Sequence, residues 1–286
     1  MRIGLDAVPK FSREQAHRLL TRAAPLLRLP TSPNRQPEVL RDGSGLRCPA
    51  AGRVYPCRGG VLDLLNSELA LTVTQKSLDT PFTAWAYDRF RDALARLLNV
   101  PDFPVEVALT QQSLQAQAGD TLLDLACGPG NFTIEWAKRV GPDGLVIGLD
   151  ISAPMLARAA HHVHRWGLDN VLLIRGDAHH LPLADDRLEK INCSGGFHQF
   201  PDLSQALREI ARVSAPGAVL TASTFAQGPA DRRATIKRWL KRRFDLHFVP
   251  LVWLAEQLAD IGYHQYRWSL PGGWFGYVSA RRTSED

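Results

Sequence analysis

The stretch LLDLACGPGNFTIEWAKRV, residues Leu122–Val140, decides the fold class. It begins as a short apolar run typical of a buried strand, contains the acidic residue Asp124, and is broken by Gly128-Pro129-Gly130 just before a helical pattern. Glycines in such a loop let a ligand approach the backbone closely, and the free amides at the start of the helix favour polar ligand groups. The stretch therefore predicts a ligand-binding loop at the end of a strand in a doubly wound sheet.

Short apolar segments alternate with helical patterns from Asp120 onward. Strands that alternate with helices are typical of a parallel sheet whose two faces are covered. We therefore predict an α/β fold of the Rossmann-like, doubly wound type, with a mostly parallel seven-stranded sheet that ends in an antiparallel hairpin. The predicted strands are Thr121–Ala126, Leu145–Asp150, Val171–Arg175, Leu188–Cys193, Ala218–Ser223, Tyr263–Leu270 and Trp274–Ala280.

Composition divides the chain into three zones. Residues 1–66 are rich in Arg and Pro and have weak periodicity, which predicts a small N-terminal module of loops and short strands. Residues 67–118 have apolar side chains at helical spacing and form a predicted helical lid or linker. Residues 119–286 hold the sheet, with a helical insertion at about 226–260. The helices predicted in the second zone are Gln75–Val100 and Val105–Gln117.

The overall composition indicates a soluble globular protein. The chain has 286 residues, 45% of them hydrophobic, a formal net charge of +5 and a pI near 9.2. Its longest apolar run, Val249–Ala255, is too short to cross a bilayer, and its beginning lacks the apolar core of a signal peptide. We expect a cytoplasmic location, with the four cysteines reduced. The net positive charge permits an anionic partner but does not require one.

The glycine-rich loop departs from the dinucleotide-binding fingerprint G-x-G-x-x-G. Gly128 and Gly130 fit its first two positions, but Thr133 occupies the third. Asp124 would repel a pyrophosphate and attract a ligand with an amino or sulfonium group. Asp150 ends the second strand 22 positions after Gly128, where its two oxygens suit ribose hydroxyls.

A third acidic residue, Asp177, follows the third strand and is suited to accept a hydrogen bond from the exocyclic amine of an adenine. Each signal alone has an ordinary explanation, such as a tight turn, a helix N-cap or a solvated loop acid. Their occurrence at three successive strand ends favours binding of a positively charged nucleoside.

The motifs LLDLACGPGNFT, GLDIS, GDAHHLPL, CSGGFHQFPD and LREIARVSAPGAVL resemble, in order and spacing, those of class I S-adenosylmethionine-dependent methyltransferases. The resemblance covers about residues 120–224 and is closest to the small-molecule branch similar to ubiquinone and menaquinone C-methyltransferases. It implies that Asp124, Gly128 and Gly130 hold the methionine part of S-adenosylmethionine, that Asp150 binds the ribose and that Asp177 binds the adenine. The other cofactor-binding residues expected from it are Ala126, Ile151, Met155, Ala178 and Cys193.

Two residues are candidates for a role in catalysis. His198 follows the fourth strand at the crevice, and an imidazole there either takes a proton from the acceptor or shapes the loop by bonding to the backbone. Tyr87, in the segment WAYDRF, either reaches toward the cofactor, as the resemblance implies, or packs as an ordinary helix residue together with Trp85.

The insertion contains a basic amphipathic helix. Seven Lys or Arg residues lie between Asp231 and Arg243, and Ile236, Trp239, Leu240 and Phe244 share one predicted helix face. Such a helix is a solvated lid, a holder for an anionic or isoprenoid-linked substrate, or a contact for an acidic membrane surface.

The N-terminal module resembles the second half of a zinc ribbon. Cys48 and Cys57 are its only cysteines, and Ala51 stands where a paired Cys would be. A structural zinc needs four N or S ligands, so we expect a degenerate ribbon without metal.

Together these features favour a methyltransferase that acts on a small aromatic or lipophilic acceptor, an isoprenoid or secondary metabolite included. One alternative is a methyltransferase of ribosomal RNA bases, which the basic pI and the ribbon-like start suggest, although the basic residues form no broad stripe with interleaved aromatics. Another is a protein that keeps the cofactor fold and catalyses a different reaction, such as cyclisation.

Overall fold

The computed structural model describes residues 12–31, 36–65, 80–86, 89, 96, 101–229, 233–244 and 247–284. In these ranges it contains strands and helices that alternate as predicted from Asp120 onward. The strands are β1 Glu38–Val39, β2 Gly45–Arg47, β3 Val54–Arg58, β4 Val61–Asp63, β5 Thr121–Leu125, β6 Leu145–Asp150, β7 Val171–Arg175, β8 Leu188–Ser194, β9 Ser214–Gln227, β10 Val249–Pro250, β11 Tyr263–Ser269 and β12 Phe275–Arg282. The helices are α1 Arg13–Ala23, α2 Phe103–Leu114, α3 Asn131–Val140, α4 Ala153–Arg165, α5 Leu203–Val213, α6 Ala234–Phe244 and α7 Leu251–Asp260.

One sheet organises the molecule, in the order β1-β2-β3-β4-β7-β6-β5-β8-β9-β12-β11. The strands from β4 to β9 in this order are parallel, and β12 and β11 add the terminal antiparallel hairpin. The segment from β7 to β11 is the predicted seven-stranded doubly wound sheet, which is confirmed. Because the chain order reverses between β5 and β8, the crevice at their carboxyl ends is the expected ligand site.

Apolar side chains cover both faces of the central strands, because consecutive strand residues point to opposite faces. Leu123 and Ile147 belong to the core on one face, whereas Leu122 and Val146 belong to the core on the other. The predicted periodicity of α3 is also present, since Phe132 and Trp136 are buried one helical turn apart. Because β5, β6 and β7 are parallel neighbours in the sheet, their carboxyl ends lie next to one another.

The N-terminal residues are more closely tied to the sheet than a separate module would be. Strand β4 pairs in parallel with β7, with Val61 opposite Leu173, and the Arg175 guanidinium lies 3.4 Å from the Asp63 carboxylate. Leu62 is fully buried and shares one core with residues of β5 and β6. The boundaries of the three zones stay predictions.

Helix α1 was not predicted from the sequence. It begins with a capping box, in which the Ser12 hydroxyl accepts a hydrogen bond from the Gln15 amide and the Gln15 side chain accepts one from the Ser12 amide. Leu19, Leu20 and Ala23 are buried on its inner face. The S-x-x-Q pattern before these residues was the signal that indicated a helix.

The region 226–260 is not wholly helical. Strand β9 extends to Gln227, and β10 pairs in parallel with its end, with Val249 opposite Ala226. Along the chain, α6 precedes β10 and α7 follows it. The residues of the second zone that are described include a helical segment at 81–86 and helix α2. Among the described helices, none is long and apolar enough to cross a membrane.

We expect Leu62→Ala to lower the free energy of unfolding by about 2–5 kcal/mol, because it opens a cavity in the core shared by β4 and the central strands. Urea denaturation of the full chain measures this. Val54→Ala on neighbouring β3 is the control, since Val54 is 44% exposed and its replacement should change stability by less than about 0.5 kcal/mol. Equal effects of the two substitutions would show that the N-terminal strands do not share the main core.

Candidate functional site

The loop between β5 and α3 has a backbone that most residues cannot adopt. Gly128 and Gly130 have φ angles of +54° and +84°, and Ala126 has a φ of +55°. A Cβ added at Gly128 would have no atom within 4 Å, whereas one at Gly130 would lie 3.0 Å from the Cβ of Ala159 on α4. Gly128 therefore borders open space that a ligand can enter, and Gly130 allows α3 and α4 to pack closely.

Asp124 lies inside the protein beneath this loop, with only 1% of its surface exposed. One carboxylate oxygen accepts a hydrogen bond of 2.5 Å from the Thr133 hydroxyl, and the other accepts one of 2.8 Å from the Asn192 amide. Burial raises the pKa of Asp124 to about 6, although these two hydrogen bonds oppose the rise, and the charge of Asp150 adds to it. Asp124 is thus a fixed, internally bonded charge.

Asn192 and Thr133 were not predicted as site residues. The Asn192 side-chain oxygen accepts hydrogen bonds from the Ser194 hydroxyl at 3.1 Å and the Thr221 hydroxyl at 3.2 Å, so its amide is oriented to donate to Asp124. Asn192 is fully buried within β8. A polar side chain between the apolar residues Ile191 and Cys193 of a predicted strand was the only signal of this network.

Asp150, at the end of β6, holds the loop in place. Its Oδ2 accepts a hydrogen bond from the Gly128 amide and its Oδ1 accepts one from the Ser152 amide, both at 2.8 Å. Asp150 is half-buried, which gives it a path to solvent.

The site has a negative electrostatic potential. Burial raises the pKa of the Cys127 thiol well above its usual range, and the charges of Asp150 and Asp124 raise it further. The pKa of the Cys193 thiol is raised by burial and the same two carboxylates. Both thiols are therefore neutral, and the region favours a cationic ligand over an anionic one.

Asp177 is buried just after the carboxyl end of β7. Two histidines contact its carboxylate. His179 donates from its amide at 3.0 Å and lies with its Nδ1 2.7 Å from Oδ1, and the His180 Nδ1 is 3.0 Å from Oδ2. Burial by itself raises the pKa of Asp177, but these hydrogen bonds outweigh it and hold the pKa at about 2. The hydrogen bond to Asp177 in turn raises the pKa of His179.

The other predicted cofactor residues lie around these carboxylates. Ile151 is half-buried, and its carbonyl accepts a hydrogen bond from Arg175 at 3.3 Å. Met155 is buried in the first turn of α4, and Ala178 is buried next to Asp177. Cys193, fully buried, lies close to Gly196, where an added Cβ would be 2.6 Å from its sulfur.

His198 lies in the short turn that follows β8, beside Thr224 and Phe225 of β9. Its Nδ1 accepts a hydrogen bond from the Phe225 amide at 3.4 Å and lies 3.1 Å from the Thr224 hydroxyl, which leaves the proton of the neutral ring on Nε2. Burial, and then the charge of His247, lowers the pKa of His198 to about 4. The ring also packs edge-on against Phe225, at 4.8 Å between centroids.

His198 adjoins a group of half-buried aromatic side chains, which we call the aromatic wall. Phe225 contacts Phe275 of β12 and Phe248 before β10, with ring centroids 5.4 and 5.8 Å apart, and Trp274 lies 6.2 Å from Phe248. Because β5, β8 and β9 are parallel, the wall and the carboxylates lie at the same edge of the sheet.

Two further predictions concern Tyr87 and the cysteines of the N-terminal module. Tyr87 lies outside the described residues, and neighbouring Trp85 is 44% exposed. In the N-terminal module, Cys48 is buried and Cys57 is half-buried, and neither forms a disulfide. The described part of the chain has no group of three or more His, Cys, Asp or Glu residues that could hold a metal ion.

Comparisons with known proteins agree with the fold. Residues 116–252 match a family described as "Methyltransferase domain". The demethylmenaquinone methyltransferase of Listeria welshimeri is 30% identical over 185 residues, which are 64% of this chain and 75% of that protein. A SAM-dependent methyltransferase from Aquifex aeolicus has a similar structure, with a TM-score of 0.55 and 22% identity over 71% of this chain and 99% of that one.

A second structure, phosphoethanolamine N-methyltransferase 2 of Haemonchus contortus in complex with S-adenosylhomocysteine, has a TM-score of 0.61 and 14% identity. The match covers 73% of this chain and 59% of that one.

Fold and site thus define an enzyme that uses S-adenosylmethionine to transfer methyl groups. The chain belongs to the class I S-adenosylmethionine-dependent methyltransferases and resembles their quinone-methylating members.

Proposed function

We propose that this methyltransferase acts on a small lipophilic acceptor with an aromatic ring. The observation that carries this proposal is the aromatic wall, which lies at the same sheet edge as the carboxylates of the cofactor site. Aromatic side chains bind flat apolar rings with large buried area and defined geometry. The similarity to a demethylmenaquinone methyltransferase points to the same class of acceptor.

The residues present fit S-adenosylmethionine. The open space at Gly128 admits a ligand against the backbone, and the negative potential of Asp124 and Asp150 suits its positive charge. When bound, this cofactor supplies a methyl group on an already activated sulfonium. The protein therefore has mainly to bind and align the reactants and to exclude water.

Each carboxylate has its own part in this proposal. Asp150 accepts hydrogen bonds from the ribose hydroxyls, and Asp124 provides a fixed negative charge beneath the loop. Asp177 accepts from the adenine amine in place of its contact with His180, whose side chain is 75% exposed. Ala126, Ile151, Met155, Ala178 and Cys193 form the apolar surroundings of the cofactor.

The acceptor class is tested by incubating the enzyme with S-adenosylmethionine carrying an isotopically labelled methyl group and with candidate acceptors. The candidates are a short-chain demethylmenaquinol, a phenol, an amino alcohol phosphate and a ribosomal RNA fragment. We expect labelled product only with the ring compounds, and Phe225→Ala should raise the acceptor KM at least about tenfold without changing cofactor affinity. Label in the amino alcohol phosphate or the RNA would contradict the proposal. Conversion of a ring compound without release of S-adenosylhomocysteine would indicate another reaction on the same fold.

We expect His198→Ala to lower kcat less than about tenfold, which would exclude a general-base role. With a pKa of about 4 the ring is a weak base, and its unprotonated nitrogen already accepts from the Phe225 amide. Single-turnover rates from pH 6 to pH 9 provide the measurement. His198→Gln, which can keep the acceptor for Phe225, should be closer to wild type than His198→Ala. A loss above about 100-fold in both variants, with a changed pH profile, would instead identify a base.

A further inference from the structure

Helix α6 buries a lysine against the rest of the protein. Lys237 is only 2% exposed, and its Nζ donates a hydrogen bond of 2.5 Å to the carbonyl oxygen of Ala226 at the end of β9. The same Nζ lies 5.1 Å from the ring centroid of Phe248 and 5.6 Å from that of Trp274, both in the aromatic wall. A buried lysine thus anchors the inner face of the helix through a hydrogen bond and cation–π contacts.

Two of the four apolar side chains predicted to share one face of α6, Ile236 and Trp239, are exposed. A helix turns about 100° per residue, so Trp239, two positions after Lys237, lies about 200° away and points outward. Trp239 is 58% exposed and Ile236 is 52% exposed. The side chains of Leu240 and Phe244 lie outside the described residues.

Cations surround these exposed apolar side chains. Arg238, Lys241 and Arg242 are all exposed on α6, and the sequence from Arg233 to Phe244 contains no acidic residue. Tryptophan with nearby Lys and Arg is the combination that an interface between water and anionic lipid favours, because the indole enters the headgroup region while the cations meet the lipid phosphates. A solvated lid would have no need to expose both apolar residues.

We propose that the outer face of α6, formed by Ile236, Arg238, Trp239 and Arg242, docks on the surface of an anionic lipid bilayer. The helix follows the end of β9, so docking there would place the aromatic wall beside the lipid from which a lipophilic acceptor comes. The docking itself is independent of the acceptor, since it concerns only the exposed face of α6. RNA is the competing anionic partner, but it gains less from the aliphatic Ile236 beside a single tryptophan.

The test is sedimentation of the full-length protein with vesicles of phosphatidylcholine alone or with 30 mol% phosphatidylglycerol added. We expect binding only to the anionic vesicles and a steep loss of binding with salt. Trp239→Gln should weaken it about tenfold, and Arg238→Gln with Arg242→Gln about 30-fold. Trp166→Gln is the matched control, because Trp166 is also 58% exposed but lies at the end of α4 under Lys138. It should bind within about twofold of wild type.

Brominated lipids provide a second readout, since they should quench tryptophan fluorescence in wild type and in Trp166→Gln much more than in Trp239→Gln. Calorimetry with S-adenosylmethionine verifies that every variant retains its cofactor site, so a docking failure is distinguishable from a failure of the proposed function. Equal binding to neutral vesicles, equal losses in the two tryptophan variants, or binding of single-stranded RNA through α6 without vesicle binding would overturn the proposal.

Discussion

Asp150→Ala should weaken the binding of S-adenosylmethionine by at least about 100-fold and leave the fold intact. In our assignment both carboxylate oxygens accept from ribose hydroxyls, and a hydrogen bond to a charged group is worth about 1.5–3 kcal/mol. The substitution also removes the acceptors of the Gly128 and Ser152 amides, which orient the loop. Titration calorimetry should show the same loss for S-adenosylhomocysteine, since the two nucleosides share the ribose.

The matched control is Asp143→Ala. Asp143 is an exposed acid just before the opposite end of β6, at the amino edge of the sheet. It has the same charge but lies away from the proposed site, so its replacement should change cofactor affinity less than about twofold. A loss of cofactor affinity below fivefold for Asp150→Ala would show that Asp150 does not bind the ribose. Equal losses of affinity in the two variants would mean that the effect comes from the net charge of the protein.

The central sheet was predictable because buried parallel strands are short apolar runs and little else in the chain resembles them. Strands β6 and β7 match their predicted bounds, and β5 differs by one residue. The ligand loop was predictable for a related reason, since two glycines between a strand and a helix permit few other structures. Both signals are local in sequence.

The missed features depend on contacts between distant residues. Thr133 breaks the dinucleotide fingerprint because its hydroxyl binds Asp124, and a different glycine, Gly148 of β6, provides the close approach. A Cβ added at Gly148 would lie 3.3 Å from Thr133 and 2.9 Å from Leu173. The partner of Asp124 on β8, Asn192, lies 68 residues further along the chain. No spacing rule connects these positions.

The burial of Lys237 in α6 was also beyond the sequence pattern. Periodicity identifies the apolar face of a helix and assumes that this face is buried. Here Lys237 finds a hydrogen-bond acceptor in the carbonyl of Ala226 and cation–π partners in the rings of Phe248 and Trp274. An apolar side chain could not use the carbonyl. The tertiary environment therefore decided that this lysine is buried.

Asp124→Asn should remove most of the preference of the enzyme for the sulfonium cofactor over its neutral-sulfur product. The asparagine keeps an oxygen for Thr133 or Asn192 but has no charge, whereas wild-type Asp124 is ionised above its pKa of about 6. Raising the pH from 5 to 7 should therefore tighten the binding of S-adenosylmethionine about tenfold more than that of S-adenosylhomocysteine in wild type. In Asp124→Asn the two affinities should change in parallel with pH. Parallel profiles in wild type would show that Asp124 does not act on the sulfonium.

The same substitution should change the pH dependence of stability in a defined direction. The pKa of Asp124 is raised from 3.8 to about 6 in the folded state, so between these values the folded protein holds a proton that the unfolded chain has lost. Stability from this group is therefore highest below pH 4 and falls as the pH rises to 6, by at most about 3 kcal/mol. Urea denaturation at pH 4.5, 5.5 and 6.5 should show this fall in wild type and not in Asp124→Asn. Since the ionised carboxylate costs stability at neutral pH, we expect its charge to serve the binding of the sulfonium cofactor.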